Sequence, residues 1–179
     1  MEKSFNNLSE TLINNLKNDE HLKINIEGEL SQFIRFSKSK VRQSGLVDDS
    51  SLMLSLIKNE RSCSCSFTLS GDVAADEKLA MTELCHLRKE VATLPKDPFI
   101  VMPENTSSSR EDHHGSLLSK ENAVEVLSPA MKGVDLAGIW ASGRIFTGNA
   151  NSSGQKHWFA TDTFSLDYSL ITSDEKMVK

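Results

Sequence analysis

Between residues 22 and 69 the apolar side chains follow a period of two, and a helical period flanks that stretch on either side. This change of period is the strongest constraint on the fold. Leu22, Ile24 and Ile26 alternate with polar residues, as do Leu52, Leu54 and Leu56, and then Cys63, Cys65, Phe67 and Leu69. Alternation of this kind marks strands with one dry face and one wet face. Phe33-Ile34-Arg35-Phe36 and Lys40-Val41-Arg42-Gln43 are two further β-like runs, and Gly28 offers a bend before them. Asn59-Glu60 lies between two runs and predicts a hairpin turn. Short strands joined by polar turns predict an antiparallel meander.

The flanking segments repeat at three and four. Phe5, Leu8, Leu12 and Leu16 form one narrow stripe, and Ala80, Leu84, Leu87 and Val91 form another. Asp72 or Asp76 can cap the second helix, and Pro95 and Pro98 stop it. Two helical stripes and one apolar sheet face can bury each other in two layers. The expected fold class is therefore α+β: a two-layer antiparallel sheet flanked by two helices over residues 1–95.

Residues 96–118 differ in kind. Pro98 and Pro103 precede Thr106-Ser-Ser-Ser-Arg-Glu-Asp-His-His-Gly115, which reads as a linker or long exposed loop. Ser119 can cap a short helix carrying Ala123, Val124 and Leu127, which Pro129 limits. From residue 134 the pattern is β-like again. Leu136, Gly138 and Trp140 share one parity, and two more runs span 157–163 and 164–170 around a turn-rich stretch, Gly148–Gly154. Residues 119–179 thus read as the start of a truncated, β-rich second domain that needs a continuation or a partner.

Composition excludes several roles. The formal net charge is −5 over 179 residues, whereas phosphate binding calls for a basic excess. The N-terminus has no apolar core of a signal peptide, and no apolar run approaches the ~18 residues of a membrane span. Three cysteines, an odd number, fit reduced thiols in a cytoplasmic protein.

Each candidate for chemistry has a plainer explanation. Cys63 and Cys65 with Cys85-His86 offer four zinc ligands, but a Cys-x-Cys pair lacks the usual spacing. Alternation instead puts both thiols on the face of Phe67 and Leu69, as core. His113-His114 sits in a Ser-rich stretch with no second ligand pair, so a solvated loop is expected. The glycines of 138–154 form neither a phosphate loop nor a dinucleotide fingerprint, and no Gly-x-Ser-x-Gly elbow is present. The stretch Arg35–Gln43 mixes basic and aromatic residues, but it also fits two strands whose wet face carries the cations. No catalytic, cofactor-binding or metal-ligating residue is assigned.

An ordered set of short motifs nevertheless resembles the N-terminal part of the TldD/PmbA family. They are Glu29-Leu-Ser-Gln-Phe-Ile-Arg-Phe36, Lys40-Val-Arg-Gln-Ser-Gly45, Thr68-Leu-Ser-Gly-Asp72 and Leu94-Pro-Lys-Asp-Pro98. Asp135-Leu-Ala-Gly-Ile-Trp-Ala-Ser-Gly143, Gly148-Asn-Ala-Asn-Ser-Ser-Gly-Gln-Lys-His-Trp158 and Phe164-Ser-Leu-Asp-Tyr-Ser-Leu170 continue the series. The resemblance implies metallopeptidase-related proteins, once described as modulators of DNA gyrase, that degrade unfolded peptides as dimers of related subunits, homo- or heteromeric. In catalytic members an HExxxH helix and a later Cys hold a divalent metal, expected to be zinc. The partner subunit lacks that motif, and this sequence is closer to that non-catalytic branch. No position here matches a family metal ligand. Asn149 stands where an aromatic is expected before Ala-Asn, and Tyr168 where Trp is common.

The expected role is then a subunit portion in metal-dependent proteolysis, with no nucleic-acid or membrane partner. Arg35 and Arg42 are the candidates for meeting peptide carbonyls or carboxylates, and Trp158 for apolar contact. The alternative is a non-enzymatic peptide- or protein-binding module, or an inactive truncated fragment.

Overall fold

Backbone pairing joins the alternating runs into longer strands than the sequence marks off. The computed structural model describes residues 1–102, 106–119, 121–172, 174 and 176–179. Helix α1 (Glu2–Asn14) precedes β1 (Glu20–Ser37), β2 (Lys40–Lys58) and β3 (Arg61–Thr68), and α2 (Val73–Val91) follows. Then come β4 (Ser108–His113), α3 (Ala123–Leu127), a 3-10 turn (Ser128–Met131), β5 (Asp135–Asn151), β6 (Lys156–Ile171) and β7 (Met177–Val178). The strands form one seven-stranded sheet in the order β3-β2-β1-β5-β6-β4, with β7 on β6. The fold is mixed helix and antiparallel sheet, as the alternation requires.

Three expectations need correction. The runs at 22–26 and 33–36 are one strand, and Gly28 does not bend it. A Cβ there would lie 2.5 Å from both the Asp49 carbonyl oxygen and the Phe146 ring, so the glycine admits close neighbours instead. The runs at 40–43 and 52–56 likewise merge into β2, through a mostly exposed polar middle that carries no alternation to read. Residues 108–113, expected in a linker, pair with β6 as an edge strand. Nearly all of that strand is exposed, so burial leaves no mark on its sequence. The linker residues 103–105 lie outside the described residues.

β5 lies between β1 and β6 in the sheet. The chain forms two compact units, each assembled from three segments: 1–28, 49–112 and 146–159 in one, and 29–48, 113–145 and 160–179 in the other. A local pattern shows that a strand wants a neighbour but does not say which one.

In the first unit, α1 buries Phe5, Leu8 and Leu12, and α2 buries Ala80, Leu84, Leu87 and Val91, the stripes read from spacing except for Leu16, which lies beyond the end of α1 and is only half-buried. In the same unit Leu22, Ile24 and Ile26 of β1 and Leu52, Leu54 and Leu56 of β2 are nearly fully buried. The β2–β3 register pairs Leu52 with Phe67, Leu54 with Cys65 and Leu56 with Cys63. That register puts both thiols on the helix-facing side. The Asn59-Glu60 turn forms, with positive φ at both residues (50° and 59°), the handedness a two-residue hairpin requires. Asp72 caps α2 by accepting from the Ala75 N–H at 2.9 Å.

In the second unit, Ile34, Phe36, Ala123, Met131 and Trp140 form the core, with Leu118, Leu127 and Leu136 packed against it. Ser39 closes the β1–β2 turn there. Its N–H donates to the Leu136 carbonyl at 3.0 Å, and its hydroxyl accepts from the Leu136 N–H at 3.0 Å.

Candidate functional site

The polar candidates sit on scaffolding rather than converging. Cys63 and Cys65 are half-buried under α2, and the Cys63 thiol reaches the Leu87 carbonyl at 3.4 Å. Burial pushes both thiols up, and nearby glutamates (Glu90 beside Cys63, Glu83 beside Cys65) add to it. Such thiols are poor nucleophiles and poor ligands. Cys85 is exposed on α2, and His86 pairs with Glu83 one turn earlier. Among the described residues no three His, Cys, Asp or Glu side chains stand close enough to hold a metal ion.

Two polar clusters escaped the sequence reading, because each joins residues far apart in the chain. In the first unit, Ser109 Oγ lies 2.8 Å from His157 Nδ1. That is proton-transfer range, but no carboxylate orients the imidazole among the described residues, so the triad logic is incomplete. In the second unit, Asp162 accepts from Arg144 at 3.0 Å and from the Gly115 N–H at 3.0 Å, with His114 3.5 Å away. The Gly115 N–H and the Arg144 guanidinium hold the Asp162 carboxyl below its ordinary range. His114 lies in an exposed loop, as its Ser-rich surroundings predict, with its ring beside the Asp162 carboxylate. Spacing alone carries no signal for either cluster.

Arg35 and Arg42 are brought together. The two-residue turn at Lys38-Ser39, both with positive φ, sets them across from each other on β1 and β2. Both are exposed. Arg42 Nε donates to the Ser37 carbonyl at 3.3 Å. Like charges on facing positions disfavour the hairpin slightly, and an incoming carboxylate or carbonyl relieves that repulsion. Trp158 belongs to the other unit and is core: it stacks on Phe146 at 5.5 Å, packs on Phe5 at 6.1 Å, and is 8 % exposed. Its apolar area is already used inside the chain.

An uncovered apolar strip lies on β6 within the second unit. Phe164, Leu166, Tyr168 and Leu170 are successive same-side positions and are 69, 48, 46 and 36 % exposed. Tyr168 lies against Gly138 of β5, where any side chain would collide with the Asp167 carbonyl. Leu166, Tyr168 and Leu170 form one wall of a groove of about 320 Å³, and Phe36, Leu127, Met131 and Leu136 line the rest of it. Full burial of one such side chain is worth about 1.5–3 kcal/mol. Exposed apolar side chains in a row of this kind are uncommon on a folded surface.

No family model matches this sequence, and no curated protein matches it. Solved structures do. A protein described as a modulator of DNA gyrase from Thermotoga maritima superposes with a TM-score of 0.63 at 11 % identity, over 98 % of this chain and 41 % of that one. A protein of the same description from Bacteroides thetaiotaomicron gives 0.63 at 15 % identity, over 98 % and 42 %. TldE from Thermococcus kodakarensis gives 0.63 at 10 % identity, over 95 % and 40 %. The resemblance to the TldD/PmbA family read from the motifs is thus matched at the level of fold. The chain spans about two fifths of the length of these proteins.

Proposed function

We propose that this chain supplies structure and docking surface, not reacting groups, to a dimeric assembly of the TldD/PmbA kind that degrades unfolded peptides with a metal. The observation that carries the reading is the bare apolar strip Phe164-Leu166-Tyr168-Leu170 beside its groove. The shared fold with the gyrase-modulator proteins and TldE supports it. The residues of this chain do not fit the metal: no three ligating side chains converge among the described residues, and no HExxxH occurs in the sequence. In this reading the metal is held outside these residues, in a continuation of the chain or in a related catalytic subunit. In this reading Arg35 and Arg42 meet peptide carbonyls or carboxylates, and the β6 strip meets protein.

Co-purification with a metal-bearing TldD-type subunit, read by light scattering, tests this. The expected result is a stable complex that cleaves an unfolded peptide and dissociates when Phe164 and Leu166 are both changed to Ser. Wild-type chain that stays apart from that subunit would refute the proposal, as would a complex indifferent to the double change.

A further inference from the structure

A second pocket lies in the first unit, away from every residue named in the proposed role. It is walled by Met1, Phe5 and Leu8 of the N-terminal segment, Ile26 of β1, and Leu69 and Val73 around the start of α2. Its volume is about 250 Å³, more than the roughly 150 Å³ of an apolar cavity that takes up benzene. One wall carries a charge: Asp76 lines the pocket and is only 9 % exposed.

The bonding of Asp76 is one-sided. Oδ1 accepts from both the Ser70 N–H and the Ser70 hydroxyl at 2.8 Å, whereas Oδ2 accepts only from the Gly71 N–H at 3.0 Å. A carboxylate oxygen has room for two donors, so Oδ2 keeps an open acceptor position. No lysine, arginine or histidine among the described residues pairs with this carboxylate. The first turn of α2 favours a negative charge at this position. An almost buried anion at the side of an apolar cavity is complementary to one ligand chemistry: a positive N–H donor attached to an apolar body.

We infer that this pocket binds a primary ammonium carried on an apolar group, with the ammonium at Asp76 Oδ2 and the apolar group among Phe5, Leu8 and Ile26. Two sources share that chemistry: a free arylalkyl or alkyl amine, and the N-terminus of a peptide whose first residue is apolar. The inference stands apart from the proposed proteolytic role, since it involves neither the β6 strip nor a partner subunit.

Titration of the chain with 2-phenylethylammonium, 2-phenylethanol and phenylacetate, followed by ligand-observed NMR, tests it. The ammonium should bind at least tenfold more tightly than the alcohol, and the phenylacetate least of all. Asp76→Asn should abolish the preference for the ammonium. Val73→Trp, at the exposed rim, should weaken all three ligands while leaving the circular dichroism unchanged. It keeps the test decisive if Asp76→Asn fails to fold. Phe-Gly-Gly amide with a free N-terminus, compared with its acetylated form, separates the sources. A free peptide that binds more tightly than the small amine identifies a peptide N-terminus, and a free peptide that binds more weakly identifies a free amine. Equal binding of the three small ligands overturns the inference. Binding unaffected by Val73→Trp overturns it as well.

Discussion

Removing Arg88 should cost the first unit far more than the loss of a surface ion pair. Glu20 opens β1 with its side chain 1 % exposed, and Arg88 from the last turn of α2 is 15 % exposed beside it. Arg88 Nε lies 3.1 Å from both carboxylate oxygens, and Nη2 is 2.9 Å from Oε2. The same Nη2 donates to the Asn15 carbonyl at 2.7 Å, tying the end of α1 to α2. The Lys17 N–H donates to Glu20 at 2.8 Å, and Lys58 adds a longer contact at 3.4 Å. Burial pushes the Glu20 carboxyl up, but the Arg88 and Lys17 bonds outweigh it and hold the carboxyl below its ordinary 4.5. Arg88→Met keeps the aliphatic stem and leaves a buried carboxylate facing only a partly exposed lysine. Losing one partner of such a pair costs about 3–5 kcal/mol. At roughly 2–4 °C per kcal/mol for a chain of this size, the melting temperature should fall by at least about 6 °C. The sign with pH follows from the lowered value. Glu20 contributes stability above its unfolded pKa, and that stability is lost as pH falls through the folded value. In Arg88→Met burial acts with much less opposition, so protonation relieves the variant and the gap between the two proteins narrows in acid. Urea titrations at pH 7 and pH 4 measure this. A loss under about 1 kcal/mol at pH 7 would place the pair with ordinary surface ion pairs. An equal loss at both pH values would mean that Arg88 acts through packing alone.

Three further outcomes follow from the same geometry. In the native protein, iodoacetamide should modify exposed Cys85 first, with Cys63 and Cys65 reacting only on unfolding because burial pushes their thiols up; comparable rates at all three sites in peptide mass spectra would contradict this. Gly148→Ala would bring a Cβ to 2.9 Å from Ile26, Phe5 and Trp158, and overpacking at such a site costs about 1–3 kcal/mol; an unchanged denaturation midpoint would refute the close packing. Lys38→Asn should raise stability by about 0.5 kcal/mol, since Lys38 has φ of 51° and Asn tolerates that region better than Lys; a lower midpoint would show that Lys38 makes a compensating interaction.

What was legible in the sequence divides along a physical line. The stripes of α1 and α2 and the alternation of Leu22–Ile26, Leu52–Leu56 and Cys63–Phe67 were legible, because in each case burial and periodicity report the same event. The Asn59-Glu60 hairpin was legible because a turn is a local event. β4 was invisible, since an exposed edge strand of Ser, Arg, Glu, Asp and His leaves no apolar trace. The place of β5 beside β1 was invisible because pairing over a hundred residues is not encoded in either strand alone. The ion cluster at Asp162 and the Ser109–His157 pair were missed for the same reason. The β6 strip exposes a subtler limit. Phe164, Leu166, Tyr168 and Leu170 have the same alternation as Leu52, Leu54 and Leu56, yet the first set is 36–69 % exposed and the second fully buried. Alternation records that a face is apolar; it does not record whether this chain covers that face. In the first unit that face is buried, whereas α3 and the 3-10 turn place Leu127 and Met131 at the groove and leave the β6 strip bare. The difference between two identical patterns is thus where the proposed function resides. That is why changing Phe164 and Leu166 to Ser should remove partner binding without the loss of stability that the same change at Leu52 and Leu54 would bring.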